Sequence, residues 1–396
     1  MTRRQIRRPA RRPARWQARR RTGRQARGTE RPVRRRTEHP ATRPGLRRLV
    51  CGAYLAAAVA GGLATAPPAG ASDLHLVHQG ESIQAAVDAA RPGDTVLIGP
   101  GVYRESVVIK ESGVTLRGSG PRTVIGPPVA RAENACGQDG DGICVLGDPG
   151  RRLRDVGIRS LTVAGFKKNG IWATGTIGLR VSDVVARNNG QWGIALERSV
   201  RSLLRDNAAR ENGDAGIFLA NVVEEEDGAL DTQGTAIVGN LMAGNRIGLT
   251  VRRVRNLHVD GNRMTGNCGG VFVVGDETRP RAGDLSLRGN DVTWNNKHCP
   301  ATKRLPFLQG IGIVLTGAEE TSVRDNRVVD NVGTSPLSGG IVLFPSFAKA
   351  PNVRHEIRDN VMLRNRPADL ADRDRDGFGH RFVGNVCRVS EPAGLC

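Results

Sequence analysis

A pair of asparagines with four residues between them recurs along most of this 396-residue chain. Apolar residues stand three positions before and two positions after the first asparagine of each pair. A glycine followed by an aliphatic residue recurs alongside, at intervals of 22 or 23 residues that lengthen where segments are inserted. The pairs begin at Asn207, Asn240, Asn262, Asn290, Asn326 and Asn360. A unit this short cannot bury its apolar side alone, so the copies must stack into a solenoid with one continuous core.

Short strands closed by Asn and Gly turns predict an all-β fold, a right-handed parallel β-helix of roughly ten coils. Asparagine suits the bends because it tolerates left-handed backbone angles, and because its amide can bond the backbone of neighbouring coils. The segment Ser82–Ala90 predicts a short helix that caps the first coil and so covers an open β edge. We expect residues 72–396 to form a single domain of this kind.

The first 71 residues have the composition of an export signal. Residues 1–48 contain 19 Arg against two Glu and predict a disordered leader. Residues 49–71 hold an apolar stretch and end in Ala-Gly-Ala, which is typical of a signal peptide cleaved before Ser72. Arg47-Arg48 leaves a twin-arginine route open, and a membrane anchor is the alternative to cleavage. We expect a secreted chain with no membrane span after cleavage.

The leader carries most of the chain's positive charge. Residues 49–396 contain 40 basic and 37 acidic groups, so the body of the protein is close to neutral. Since nucleic-acid binding depends on a basic surface, we expect no nucleic-acid partner. We also expect the protein to be a monomer.

Cysteine usage agrees with export, because an even number of cysteines in a secreted chain predicts disulfides. Pairing each cysteine with its nearest neighbour is the simplest of the 15 possible connectivities. No cysteine or histidine cluster has zinc-ligand spacing. The predicted pairs are Cys136–Cys144, Cys268–Cys299 and Cys387–Cys396.

Residues 80–109 (GESIQAAVDAARPGDTVLIGPGVYRESVVI) resemble the opening of pectin-lyase-like right-handed β-helix proteins. The asparagine repeats extend this resemblance over residues 170–386. The segments 136–147 and 384–396 resemble a group of secreted actinobacterial β-helix-repeat proteins. The resemblance implies the fold but no activity, because this fold hosts lyases, hydrolases, esterases, epimerases and adhesins.

The catalytic motifs of the enzymes on this fold are missing. Polygalacturonase-like hydrolases have Gly-His-Gly and Arg-Ile-Lys, pectin methylesterases Asp-Phe-Ile-Phe-Gly, alginate epimerases Asp-Pro-His and pectate lyases Trp-x-Asp-His. None of these stands in the sequence. Whether the protein is an enzyme therefore stays open; a polysaccharide lyase or a glycoside hydrolase-like activity is the kind the resemblance allows.

Strand alternation places one unusually apolar column on the exterior of the β-helix. The inserted loops 275–283, 297–309 and 345–352 could fold over this column. Alternatively it is an open groove in which Trp172, Phe218 and Phe272 stack on sugar rings. The column consists of Trp172, Ala195, Phe218, Thr250, Phe272, Val314 and Val342.

Glu197 and Arg252 are the only charged residues in this column and the parallel column two residues further on. With Asp214 they are the candidates for acid–base chemistry. Asp372, Asp374 and Asp376 begin like a calcium-binding EF-hand loop, but the twelfth position is Val383 where a bidentate Glu belongs. We therefore expect no cofactor, with Ca²⁺ at these three aspartates as the open alternative.

These features predict a secreted protein that binds an extracellular polysaccharide on its exposed strand face, with or without processing it. The alternative is a non-catalytic cell-surface or envelope scaffold with a protein partner. An open groove with a carboxylate and a cation at sugar-ring spacing favours glycan binding. Loops packed over the face favour the scaffold.

Overall fold

The computed structural model describes residues 72–396 apart from residues 149, 225 and 226. The predicted leader (1–48) and signal peptide (49–71) lie outside the described residues. Within the described part, no helix has the length and apolar character needed to cross a membrane.

Three parallel sheets, which we name A, B and C, form the described part of the chain. Most coils contribute one strand to each sheet in turn, and successive coils are hydrogen-bonded in register. Sheet A consists of Leu74–Val77, Thr95–Ile98, Thr115–Gly118, Gly157–Arg159, Arg180–Ser182, Leu203–Arg205, Leu230–Val238, Val254–Asp260, Gly283–Arg288, Ser322–Arg324, Glu356–Arg358 and Arg381–Val383.

Sheets B and C complete each coil. Sheet B consists of Gly101–Arg104, Thr123–Gly126, Thr162–Ala164, Val185–Arg187, Ala208–Arg210, Leu241–Ala243, Arg263–Thr265, Asp291–Thr293, Arg327–Val329 and Val361–Leu363. Sheet C consists of Val107–Ile109, Ile143–Leu146, Ile171–Thr174, Ile194–Glu197, Ala215–Ala220, Ile247–Arg252, Gly269–Val274, Ile311–Thr316, Gly339–Phe344, Leu370–Asp372 and Ser390–Glu391. The predicted parallel β-helix is thus confirmed.

A short helix, Ile83–Ala89, lies at the first coil and buries Ile83 and Val87 in the core. Ser82 is its N-cap and accepts a hydrogen bond from the Ala85 amide. The Glu105 carboxylate accepts from the Ile83 and Gln84 amides, so one anion satisfies two more donors of the first turn. A second helix spans Ala135–Gln138, and Leu153–Arg154 pairs with Thr176–Ile177 in a two-stranded sheet.

Asparagine ladders hold the turns between the sheets. One ladder runs through Asn207 and Asn240, and the other through Asn212 and Asn245. In each, the amide nitrogen of one side chain donates to the amide oxygen of the asparagine one coil further on, at 2.8 to 3.1 Å. The backbone N–H of the first asparagine donates to the same oxygen. These buried side chains therefore satisfy one another along the solenoid axis.

The left-handed turn residues differ from the prediction. The ladder asparagines do not have positive φ; the residue just before each of them does, as at Asp206 (φ 55°) and Gly244 (φ 72°). The asparagines are needed for their amides, which must point inward along the ladder. The preceding, exposed position absorbs the bend and is therefore Asp, Asn or Gly in most coils.

Three disulfides join Cys136 to Cys144, Cys268 to Cys299 and Cys387 to Cys396, the pairs that nearest-neighbour pairing gives. Their Cα–Cα distances are 5.9, 6.0 and 5.3 Å. Disulfides are typical of proteins in oxidising compartments outside the cytoplasm.

Candidate functional site

The apolar exterior column of sheet C is in register across seven coils. Trp172 pairs with Ala195, Ala195 with Phe218, Phe218 with Thr250, and so on to Val342. The residues that precede them along the strands belong to the interior core, while Ala195, Phe218, Phe272, Val314 and Val342 belong to separate apolar clusters. The column therefore lies on the outer side of the sheet.

Much of this outer side is covered. Phe272 is 2% exposed and packs with Cys299 and Leu308 of the inserted loop 297–309, which the Cys268–Cys299 disulfide ties to the sheet. Phe218 is 5% exposed. The prediction that Phe218 and Phe272 are open sugar-stacking platforms is wrong, because loop residues and a neighbouring ring occupy their faces. Trp172 is half-buried.

Trp192 is the residue that the sequence analysis missed. Its ring stacks on Phe218 with centroids 4.0 Å apart, and on Trp172 with centroids 5.9 Å apart. It thereby covers Ala195, the small residue between Trp172 and Phe218 in the column. The three rings form one stack on the exterior of sheet C, which we name the aromatic stack.

Asp214 belongs to this stack. Its carboxylate accepts a hydrogen bond of 3.1 Å from the Trp192 indole N–H. Burial raises the pKa of Asp214, while the hydrogen bond from Trp192 and the nearby Arg246 act in the opposite direction. The structure does not bring Asp214 to Glu197, because the two lie at opposite ends of their strands, roughly 20 Å apart along the strand direction.

Glu197 and Arg252 lie in one column, two coils and about 10 Å apart. Both contact the backbone of Val223 in the loop between them. The Val223 N–H donates to the Glu197 carboxylate at 3.0 Å, and the Arg252 guanidinium donates to the Val223 carbonyl at 3.0 Å. They hold this loop in place, so the predicted trio of Glu197, Arg252 and Asp214 is not one catalytic cluster.

Beyond Arg252, a cleft of about 180 Å³ opens on the exterior of sheet C. Its floor is formed by Arg252, Val274 and Thr316, which are consecutive members of that same column. Apolar residues from the inserted loops form its walls, and polar residues form its rim. The lining includes Phe272, Asp276, Glu277, Leu305, Leu337, Ser346 and Phe347.

Two polar groups in this cleft have the character of ligand-binding groups. Thr316 is only 5% exposed. Its buried hydroxyl has no hydrogen-bond partner among the described residues. Burial lowers the pKa of Arg252, and the nearby Arg253 and Arg304 add to this effect. Unsatisfied buried polar groups are costly, so a ligand that accepts hydrogen bonds would be favoured here.

The carboxylates of the cleft do not form an acid–base pair. Asp276 makes an ion pair with Arg253, and its other oxygen accepts from the Thr278 amide. Glu277 is exposed at the rim. Phe347 is 63% exposed, and its ring lies 5.9 Å from that of Phe344. The cleft is thus lined by a cation, by a buried hydroxyl without a partner in the described part of the chain, and by an exposed aromatic ring.

The three candidate calcium ligands differ in their burial and in their hydrogen-bond partners. The Asp374 carboxylate accepts from the backbone and side-chain amides of Asn352, both at 2.8 Å, and is buried. Burial raises the pKa of Asp372, whereas Asp376 is exposed. Among the described residues, no three His, Cys, Asp or Glu side chains are arranged to hold a metal ion. Asp374 ends a short ladder in which Asn352 accepts from the Ala318 amide and donates to the Asp374 carboxylate.

The comparisons with known proteins agree with the coil geometry. The family model described as the right handed beta helix region matches residues 132–292. The match covers less than half of the chain and agrees with the parallel β-helix that the structure shows. No curated protein sequence matches it.

Solved structures share the fold of this β-helix protein. The A-module of the mannuronan C-5 epimerase AlgE4 from Azotobacter vinelandii is 21% identical with a TM-score of 0.55, covering 78% of this chain and 90% of that one. The DFA-IIIase of Arthrobacter chlorophenolicus A6, solved without its lid in complex with GF2, is 14% identical with a TM-score of 0.57, covering 81% and 91%. Identity this low shows the fold alone.

Proposed function

We propose that the protein binds an extracellular polysaccharide in the cleft on the exterior of sheet C. The observation that carries the proposal is the buried Thr316 hydroxyl, which has no partner in the described part of the chain and lines a cleft beside Arg252. A sugar hydroxyl or carboxylate would accept from the Arg252 guanidinium, and from the Thr316 hydroxyl once the side chains over that hydroxyl move aside. The exposed ring of Phe347 would stack on the apolar side of the same sugar unit.

The size and chemistry of the cleft fit a single sugar unit of a longer chain. The volume of about 180 Å³ lies below that of pockets that enclose a drug-sized ligand. Arg252 is held by the Val223 carbonyl and keeps further donors for a ligand. The neighbours of the same fold include an epimerase named for mannuronan and a DFA-IIIase solved with GF2, which supports a carbohydrate ligand. The three disulfides support secretion.

An array of acidic and neutral oligosaccharides, probed with the full chain, tests the proposal. Thr316→Val keeps the shape of the side chain and removes the orphan hydroxyl, so we expect an unchanged or higher thermal midpoint. Retention of the best-bound glycan should fall about tenfold, which corresponds to about 1.4 kcal/mol. Arg252→Gln should weaken retention further.

The matched control is Thr250→Val, a threonine of sheet C outside the cleft, which should leave retention unchanged. No retention of any glycan by the parent chain would overturn the proposal. Equal retention by the parent chain and Thr316→Val would place the glycan elsewhere on the surface.

A second candidate, the non-catalytic scaffold, is favoured by one observation. The loop 297–309 and the aromatic stack already cover most of the exterior of sheet C. In that case the cleft would take a side chain of a protein partner. Two results together would favour a protein ligand over a polysaccharide. The array would show no glycan retention, and cross-linking through position 347 would recover a discrete protein partner.

A further inference from the structure

The exterior of sheet A has an arginine cluster near its N-terminal end. Arg117 and Arg159 are neighbours in register on adjacent coils. Arg180 lies on the next coil, beside Gly157 in the adjacent column. All three side chains are exposed, and adjacent coils are about 4.8 Å apart. The three arginines therefore lie on consecutive coils of the same exterior face, and we name them the arginine cluster.

These arginines differ from others on the same sheet in their pairing. Arg288, Arg324 and Arg358 also point outward from sheet A, and each lies within 4.0 Å of a carboxylate, at 3.4, 3.5 and 2.6 Å. Arg117, Arg159 and Arg180 have no carboxylate within that distance among the described residues. Like charges this close repel one another, and no ion-paired carboxylate in the described part of the chain offsets the repulsion.

A shallow depression of about 230 Å³ lies beside the arginine cluster and is lined by Arg159 and Arg180 but not by Arg117. Its floor is Gly157, where the missing side chain leaves room; a Cβ there would come within 3.0 Å of the Thr115 hydroxyl. Thr115 and Ser182 line the depression and offer hydroxyl groups. The one carboxylate in the lining, Asp155, belongs to an exposed turn residue.

The charge of the chain agrees with a local basic surface. Residues 110–205 hold 15 basic and 8 acidic side chains, although the body of the protein as a whole is close to neutral. The outward positions around Gly157 are Thr, Ser and Arg, with no aromatic ring on which a nucleic-acid base could stack.

We infer that the arginine cluster binds an anionic polysaccharide, one that carries sulfate or carboxylate groups along its chain. Guanidinium groups pair with both groups through two parallel hydrogen bonds, and Thr115 and Ser182 add donors in the depression. Coil spacing places neighbouring cations about 5 Å apart, so a linear polyanion can contact several of them at once. The inference does not depend on the cleft, which lies on a different sheet.

The test uses the full chain with dextran sulfate and, as a neutral control of equal length, dextran. Since the leader brings its own arginines, the readout must be local. Phenylglyoxal modifies accessible arginines, and peptide mass spectrometry reports the modification of each one. We expect dextran sulfate to slow the modification of the arginine cluster at least threefold more than it slows the modification of the paired arginines Arg288, Arg324 and Arg358. Dextran should slow neither set.

Two variants extend the test. Replacing Arg117, Arg159 and Arg180 by Gln should weaken dextran sulfate binding by fivefold or more. The matched variant with Gln at 288, 324 and 358 removes the same charge and should weaken binding less than twofold. Thermal midpoints of both variants check the fold, and the protection pattern of the parent chain does not depend on either variant.

Equal protection of the two arginine sets, or equal effects of the two variants, would overturn the inference. Stronger protection by duplex DNA than by dextran sulfate at equal charge concentration would also overturn it, in favour of a nucleic-acid surface. A negative result for the arginine cluster would not affect the proposal for the cleft, since the glycan array tests Thr316 and Arg252.

Discussion

Trp192 shows how one side chain decides what a strand face can do. Ala195 leaves a gap in the exterior column of sheet C, and the Trp192 ring fills it between Trp172 and Phe218. Its indole N–H is satisfied by Asp214, as a buried tryptophan requires. The aromatic stack is thus packed against itself rather than open to a sugar.

Phe218→Ala is therefore expected to destabilise the fold. The substitution removes a buried ring and opens a cavity beneath Trp192, which costs about 3 kcal/mol in comparable cores. Urea unfolding of the variant should show this loss. Thr250→Ala, the neighbour of Phe218 in the same column, is half-buried and should cost much less. A Phe218→Ala variant as stable as the parent would mean that the stack does not form.

The exterior column of sheet C could be predicted from the sequence, but the aromatic stack could not. Strand alternation and the 22-to-23-residue repeat fix which residues share a coil position, so Trp172, Phe218 and Phe272 were placed correctly in register. Trp192 precedes its strand by two residues, where alternation makes no prediction. The contacts of Glu197 and Arg252 with Val223 depend on a loop conformation that no repeat encodes.

At the scale of the element, the asparagine ladders explain why a coil can turn sharply with a buried polar side chain. Asn245 accepts from the backbone and side-chain amides of Asn212, and it donates to Asn267 and to the Ala209 carbonyl. Every hydrogen-bonding group of the side chain is used. The ladder through Asn245 ends at Asn365, which donates to the buried Asp369 carboxylate.

Asn245→Ala should cost about 3–5 kcal/mol, because it leaves several buried groups on the two neighbouring coils without partners. Asn385→Ala, at the half-buried end of the other ladder, should cost about 1 kcal/mol, since water can replace its bonds. Urea unfolding of both variants measures the difference. Equal costs would contradict the view that the interior ladder is a continuous network.

The buried side chain of His355 predicts that the fold loses stability in acid. His355 is 1% exposed, accepts from the Thr321 amide and stacks on His380 at 5.1 Å. Burial lowers the pKa of His355 from 6.5 to about 3, and the nearby His380 and Arg281 add to this effect. The unfolded chain binds a proton below pH 6.5 while the folded chain does not. His355 therefore removes stability as the pH falls from 6.5 to 3.

We expect His355→Gln to lose less stability than the parent between pH 7 and pH 4, measured as the shift in urea midpoint. The exposed His258 of sheet A provides the matched variant, His258→Gln, which should follow the parent. The same pH dependence in His355→Gln and the parent would show that another group controls the acid response.

At the scale of the whole molecule, the three sheets have different exteriors. Sheet C carries the inserted loops, the aromatic stack and the cleft, whereas sheet A presents its charged side chains directly to solvent. The repeat predicts the common framework because every coil obeys the same packing rule. The cleft was not predicted, since it depends on how loops 275–283 and 345–352 pack around Arg252 and Thr316.

The first 71 residues predict where the exported chain begins. Secreted protein should begin at Ser72, because the small-residue cleavage site lies just before it. N-terminal sequencing of the exported chain checks this. Recovery of the Arg-rich residues 1–48 on the exported protein would contradict it.

A crystal structure of the protein soaked with the oligosaccharide that the array retains best tests polysaccharide binding in the cleft most directly. We expect a sugar unit beside Phe347, with one oxygen within hydrogen-bond distance of the Thr316 hydroxyl and another at the Arg252 guanidinium. An oligosaccharide bound elsewhere, with the cleft holding only water, would contradict it.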